Sequence, residues 1–160
     1  MRPDKLETVN QLIFRPARRE DVAQIVRLLA DDQLGATREQ IADPLPALYL
    51  EAFEEVTADP HQELIVVDLD GSVVGCMQLT IIPGLSQQGA RRAQIEAVRV
   101  DASLRSQGIG ERLIRHAIER ARYHRCRFMQ LTTNRVRVDA HRFYDRLGFK
   151  ASHLGYKLPL

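Results

Sequence analysis

The stretch RSQGIGERLIRHA (105–117) places Arg105 just before Gly108 and Gly110, and an apolar stripe at helical spacing follows. It reads as a loop that becomes a helix. Glycine weakens helices, so two of them at a helix start need a reason. One reason is ordinary turn punctuation. The other is chemical: first-turn amides have no helical partners, point outward and lie at the positive end of the helix dipole, which suits an anion. Gly108 and Gly110 would let phosphate oxygens approach the main chain, with arginines supplying formal charge. The stretch lacks the GxxxxGK[ST] loop and the GxGxxG dinucleotide fingerprint. Upstream, Glu96 in QIEAVRV is a carboxylate inside an otherwise apolar strand, where burial would raise its pKa and suit it to moving a proton.

Other reactive residue types offer less. The five histidines (61, 116, 124, 141 and 153) show no HxxxH spacing, and the two cysteines form no CxxC, so no metal site is expected. Cys76 and Cys126 sit in apolar surroundings and read as buried, unpaired, reduced thiols of a cytoplasmic protein. Net charge is only +2 but unevenly spread. Residues 31–70 hold eleven acids and one base, a local balance of −10, and residues 105–146 hold eleven arginines and four acids, a balance of +7. The basic part suits nucleic acid or a smaller polyanion carrying a few phosphates.

The elements that would position these residues can be read from pattern. With 160 residues, 44 % apolar and 28 % charged, the chain has the size and composition of one globular domain, here 1–160. It has no apolar run near the roughly 18 residues of a membrane span, and MRPDKLETVNQLIF lacks a signal peptide's apolar core. Residues 12–18 read as a strand. A helix follows with Val22, Ile25, Val26 and Leu29 on one face. Thr37 and Gln40 have capping-box spacing and predict a second helical region, broken by Pro44 and Pro46 and resumed over 47–58. The runs around Asp70-Gly71 predict a hairpin. Strands are expected at 93–101, 127–133 and 149–158, and helices at 109–124 and 139–148. The order β-α-α-β-β-β-α-β-α-β implies an α/β layer structure, a mixed sheet with helices on both faces. The unit 93–133 should be a parallel crossover.

An acid-bearing strand, a short turn, then R-x-x-G-x-G opening an amphipathic helix (IEAVRVDASLRSQGIG) closely resembles the GCN5-related N-acetyltransferase (GNAT) family. DAHRFYDRLGF resembles that family's A-x-x-x-Y-x-x-x-G-F segment, with Ala140, Tyr144, Gly148 and Phe149 in register. The order of elements matches from about residue 12 to the end. The resemblance implies a notched, mostly antiparallel sheet that binds acetyl-CoA between two strands, with the glycine loop on the coenzyme's pyrophosphate. It implies direct acetyl transfer to an amine, with no metal.

The resemblance also implies roles. Glu96 would take the amine's proton directly or through water, unless it pairs with Arg91, Arg92 or Arg99 at a strand edge. Main-chain groups of Val98 and Val100 would face the thioester carbonyl and the pantetheine arm, whereas as side chains they are plain core valines. Arg105, Ser106, Gln107, Gly108, Ile109, Gly110 and Glu111 would line the phosphate cradle. Tyr144 would give a proton or hydrogen bond to the leaving thiolate, or be a core aromatic beside Phe143, itself expected near the cofactor. The family often has Asn three residues before the alanine placed at 140. Here that position is Arg137, and Asn134 lies three residues earlier, so either contacts the cofactor.

The acceptor the resemblance implies is a small-molecule or peptide amine. The acids between the first two helices (Asp31, Asp32, Glu39, Asp43, Glu51, Glu54 and Glu55) would attract a cationic amine or form a solvated face. The loop PGLSQQGARR, expected to border the acceptor, carries two arginines that point instead to a carboxylate or phosphate. A non-catalytic acyl-CoA-binding regulatory module would keep the glycines and arginines but have no use for Glu96 and Tyr144 together. Nucleic-acid binding is disfavoured because basic and aromatic residues are not interleaved as stacking platforms. No membrane partner is expected, and dimerisation is common among proteins resembling this one.

Overall fold

The computed structural model describes residues 12–160; the first eleven, and with them most of the segment examined for a leader, lie outside the described residues. Strand β1 (Ile13–Pro16) leads through a short 3-10 turn into helix α1 (Val22–Ala30), and α2 (Ala47–Ala58) follows. Strands β2 (Gln62–Leu69), β3 (Ser72–Ile82) and β4 (Arg92–Val100) come next, then α3 (Ile109–Tyr123), β5 (Phe128–Leu131) and α4 (Val138–Arg146). The strands form one sheet in the order β1-β2-β3-β4-β5. All pairs are antiparallel except β4–β5, which is parallel. This is the expected mixed α/β layer structure.

Alternating side chains send two sets of residues to two faces. On one face Ile65, Val67, Met77, Leu79, Ile81, Ala93 and Ile95 pack under Ile109, Leu113, Ile114, Ala117 and Ala121 of α3. On the other, Val66, Val73 and Cys76 pack under Ile25 and Leu28 of α1, with Phe53 of α2 alongside. The hairpin turn is short because Asp70 (φ 51°) and Gly71 (φ 84°) both adopt the left-handed conformation a two-residue turn requires. At the β1–α1 corner Arg15 donates to both carboxylate oxygens of the buried Asp21 (2.7 and 3.0 Å) and to Asp68 (2.9 Å).

Three expectations change. No helix starts at Thr37: its hydroxyl donates to the Leu34 carbonyl (2.9 Å) and closes a 3-10 turn, Gly35–Thr37, while the amide of Gln40 donates to the Tyr49 hydroxyl (2.8 Å). Residues 149–158 form no strand. Gly148 (φ 88°) ends α4, the Phe149 amide returns to the Tyr144 carbonyl (3.1 Å), and beyond it Leu154, Tyr156, Leu158 and Leu160 are exposed. Period-two apolarity marks one side of an extended chain, but a strand also needs a neighbour to pair with, and none is hydrogen-bonded here among the described residues. Cys76 is buried as expected, but Cys126 is only half-buried at the end of α3.

Candidate active site

The site grows from a mismatch in strand length. β4 pairs with β3 from Arg92 to Val100, but with β5 only over Arg92–Ile95. From Glu96 onward, one edge of β4 has no strand beside it. The amide of Asp101 donates toward β3, to the Val74 carbonyl (2.9 Å). Backbone groups alternate sides along a strand, so Val100 and Val98 turn theirs toward the open edge. Their carbonyls are met there by side chains, Arg105 Nε on Val100 (3.2 Å) and Arg99 Nη1 on Val98 (2.9 Å).

A β-bulge sets what faces where. Gln78 pairs with Glu96 and Cys76 with Arg99, so Met77 alone opposes both Ala97 and Val98. Ala97 takes φ 54°, a left-handed conformation. The extra residue shifts the alternation by one. Val98 and Val100 pack on the α3 side, while Arg99 joins Arg92, Gln94 and Glu96 on the opposite face. Strict alternation would have buried Arg99 under α3. The sequence signal for the bulge is the phase break between Ile95 and Val98, three apart rather than two.

The start of α3 separates its two glycines. Ser106 (φ 63°) and Gly108 (φ 80°) both take left-handed conformations, and a Cβ on Gly108 would meet nothing within 4 Å. A Cβ on Gly110 would lie 3.4 Å from Phe143 Cζ and 3.8 Å from Val100, so Gly110 lets α4 and β4 close on α3. Gly108 thus shapes an open backbone turn at the N-terminus of a fifteen-residue helix, and a phosphate-bearing cosubstrate fits it. Arg105 anchors the turn on Asp31 (3.0 Å), and Glu111 turns away to Arg115 (2.7 Å).

Other expected residues separate into those near the open edge and those away from it. Glu96 is exposed, not buried: α1 and α2 cover the sheet over β2 and β3 and leave this part of β4 open. It makes no ion pair with Arg91, Arg92 or Arg99 among the described residues. Around it lie neutral polar groups: Gln62 accepts from Gln78 (3.0 Å) and Thr80 (2.7 Å), and Gln94 accepts from Gln130 (2.7 Å). Tyr144 stacks edge-on against Phe143 (5.1 Å) and Phe149 (5.7 Å). Burial pushes its phenol above the ordinary tyrosine value, with Arg99 and Arg137 nearby pulling the other way. Arg137 binds Asp32 (2.5 Å) and, at 3.6 Å, so does Arg99. Burial alone would raise the Asp32 carboxyl, but the Gly35 amide and the two guanidiniums more than offset it and hold it below the ordinary range. The Asn134 side chain accepts from the Val136 amide (3.1 Å). Among the described residues the Arg91 side chain donates to the His124 carbonyl alone, and Cys76 is buried, which pushes its thiol up to about 12.

A family model described as Acetyltransferase (GNAT) family matches residues 23–149. The chain belongs to the GNAT family of acetyltransferases. It is 32 % identical over 112 residues to the aminoalkylphosphonate N-acetyltransferase of Salmonella typhimurium, covering 70 % of this chain and 72 % of that one. It is 34 % identical over 98 residues to the N-acetylaspartate synthetase of Rattus norvegicus, 59 % of this chain but only 30 % of that one. A solved structure from Bacillus halodurans C-125, named a transcriptional regulator, is 47 % identical with a TM-score of 0.91, over 93 % of this GNAT chain and 99 % of its own. No helix among the described residues is long and apolar enough to cross a membrane.

Proposed function

We propose that this GNAT protein moves the acetyl group of acetyl-CoA directly to the primary amine of a small molecule or peptide. What supports this is the edge of β4 left open past Ile95, the strand that carries Glu96, together with the glycine-turned start of α3, where Gly110 lies against Phe143, the ring neighbour of Tyr144. Acetyl-CoA supplies an activated thioester carbonyl. The amides from Ser106 to Glu111, with Arg105 beside them, hold its diphosphate, and the main chain of Val98 and Val100 holds the pantetheine arm. The Val98 amide also serves as the preset donor toward the carbonyl oxygen. Phe143 backs the glycine turn. Asn134, whose side chain accepts from the Val136 amide, is given no role here.

An amine attacks only when neutral, and a lysine-like amine has a pKa near 10.4. Glu96 takes that proton on its exposed carboxylate, directly or through water. Tyr144 keeps its phenolic proton through neutral pH, because burial disfavours the phenolate, and offers it to the departing sulfur. The test follows free thiol released from acetyl-CoA over a panel of amines, amino acids and peptides. Thiol release with at least one amine, yielding the N-acetyl product, supports the proposal. The regulatory name of the Bacillus halodurans relative favours a second reading, a module that binds acyl-CoA without turnover. Tight acetyl-CoA binding with no thiol released across the panel would establish that reading instead.

A further inference from the structure

We infer that the acceptor carries an acidic group, a carboxylate or a phosphorus oxyanion, close to its amine, and that Arg99 and Arg137 bind it beside Glu96. The inference rests on the proposed acetyl transfer and names the class of acceptor that this site takes. Its first ground is the incomplete bonding of Arg99. A guanidinium has five N–H donors. Among the described residues the Arg99 guanidinium makes one hydrogen bond, to the Val98 carbonyl (2.9 Å), and its approach to Asp32 at 3.6 Å is too long for another. Its Nε is shut from solvent with no acceptor at all. The donors left on its Nη groups, rather than the enclosed Nε, are what an incoming anion would meet.

The second ground is charge. Arg99 and Arg137 share the single carboxylate of Asp32, which leaves one positive charge uncompensated at the gap. The third is what this face lacks. Gln62, Gln78, Thr80, Gln94 and Gln130 are neutral, so Glu96 is the one carboxylate that β3, β4 and β5 present there. A diamine or polyamine would need a second acid for its second ammonium. Of the acids of the segment 31–70, Asp31 is already bound by Arg105, Asp32 by Arg137, Glu54 by Arg19, Glu63 by Arg120 and Asp68 by Arg15. The fourth is reach. The bulge leaves Glu96 and Arg99 two β3 residues apart on one face, about 7 Å at strand spacing. That separation fits an amine and an acidic group a few bonds apart in one small molecule.

The test uses matched amines on the wild-type protein: 2-aminoethylphosphonate and aspartate against propylamine, with putrescine as the dication. The expected result is a KM for at least one acidic amine about 30-fold below that of propylamine, with putrescine no better than propylamine; this is the size of a charge-assisted hydrogen bond. Inorganic phosphate should compete with the acidic amine and leave the KM for acetyl-CoA unchanged. In Arg99→Gln the gap between acidic and neutral amines should close, chiefly through KM, and Arg99→Lys should restore part of it. Calorimetry of 2-aminoethylphosphonate and aspartate into the coenzyme A complex reads the same preference without turnover. Equal use of propylamine, or preference for putrescine, overturns the inference and leaves acetyl transfer standing. A rise in the KM for acetyl-CoA in Arg99→Gln, in place of the acceptor effect, also overturns it. Thiol release with neither acidic amine and no binding of either overturns the inference, while acetyl transfer is judged on the wider amine panel.

Discussion

At the residue scale, Gly108 and Gly110 look equivalent in the sequence and are not. Gly108 sits at φ 80° with open space around it, so a side chain there meets strain but no clash. Gly108→Ala should cost about 1–2 kcal/mol of stability from the left-handed backbone alone. Gly108→Glu adds a like charge to the proposed cradle and should weaken acetyl-CoA binding at least tenfold by calorimetry. Unchanged affinity would remove the phosphate from this turn. Gly110 instead touches Phe143, so Gly110→Ala should leave affinity within about twofold. Tyr144 is tested separately. Tyr144→Phe keeps both ring contacts and loses only the hydroxyl, so turnover should fall by about 100-fold, within the range for one proton donor. Equal losses in turnover and in acetyl-CoA affinity would mean that the ring is structural.

At the element scale, most of the fold could be read from the sequence, because its helices and central strands carry clean periods. The hairpin was fixed by Asp70-Gly71, and α3 by Ile109, Leu113, Ala117 and Ala121. What periodicity cannot supply is a partner. Residues 149–158 alternate like a strand yet pair with no described strand, and Thr37 and Gln40 carry capping types without an α-helix to cap. The Ala97 bulge was visible only as a broken phase, and it alone decides that Arg99 faces Glu96 rather than the core. The β1–α1 corner gives a prediction at this scale. Hydrogen bonds from Arg15 hold the Asp21 carboxyl below the ordinary range, against the opposing effect of burial, with the Arg18 amide adding to them. A depressed carboxyl stabilises the fold above its unfolded pKa, and that contribution is lost as pH falls through the folded value. Asp21→Asn should therefore cost about 3 kcal/mol at pH 7, in line with breaking a buried pair. The deficit should shrink below about pH 4. Thermal melts from pH 7 to 2.5 check this, and a deficit independent of pH would assign the loss to packing.

At the scale of the whole molecule, three ion pairs between arginines and acids join the acidic residues 31–70 to the basic residues 105–146. Asp31 meets Arg105, Asp32 meets Arg137, and Glu63 takes Arg120 at 2.6 Å with His124 at 2.7 Å. The segregation was plain in the sequence, but its meaning was not, since pairing between distant segments follows only from the fold. A basic half read alone suggests nucleic acid; a basic half folded onto an acidic one does not. The regulatory name of the Bacillus halodurans relative gives that distinction a direct test. Nonspecific DNA binding grows with the number of phosphates neutralised, and each adds about −0.9 to the slope of log affinity against log salt. With these arginines engaged internally, a random duplex should bind more weakly than about 10⁻⁴ M at physiological salt, with a slope shallower than about −2. Fluorescence anisotropy from 50 to 200 mM salt measures both. Micromolar binding with a slope of about −5 or steeper would mean that DNA outcompetes the internal carboxylates, and Arg105, Arg120 and Arg137 would then belong to a nucleic-acid surface rather than to the scaffold of an acetyl-transfer site.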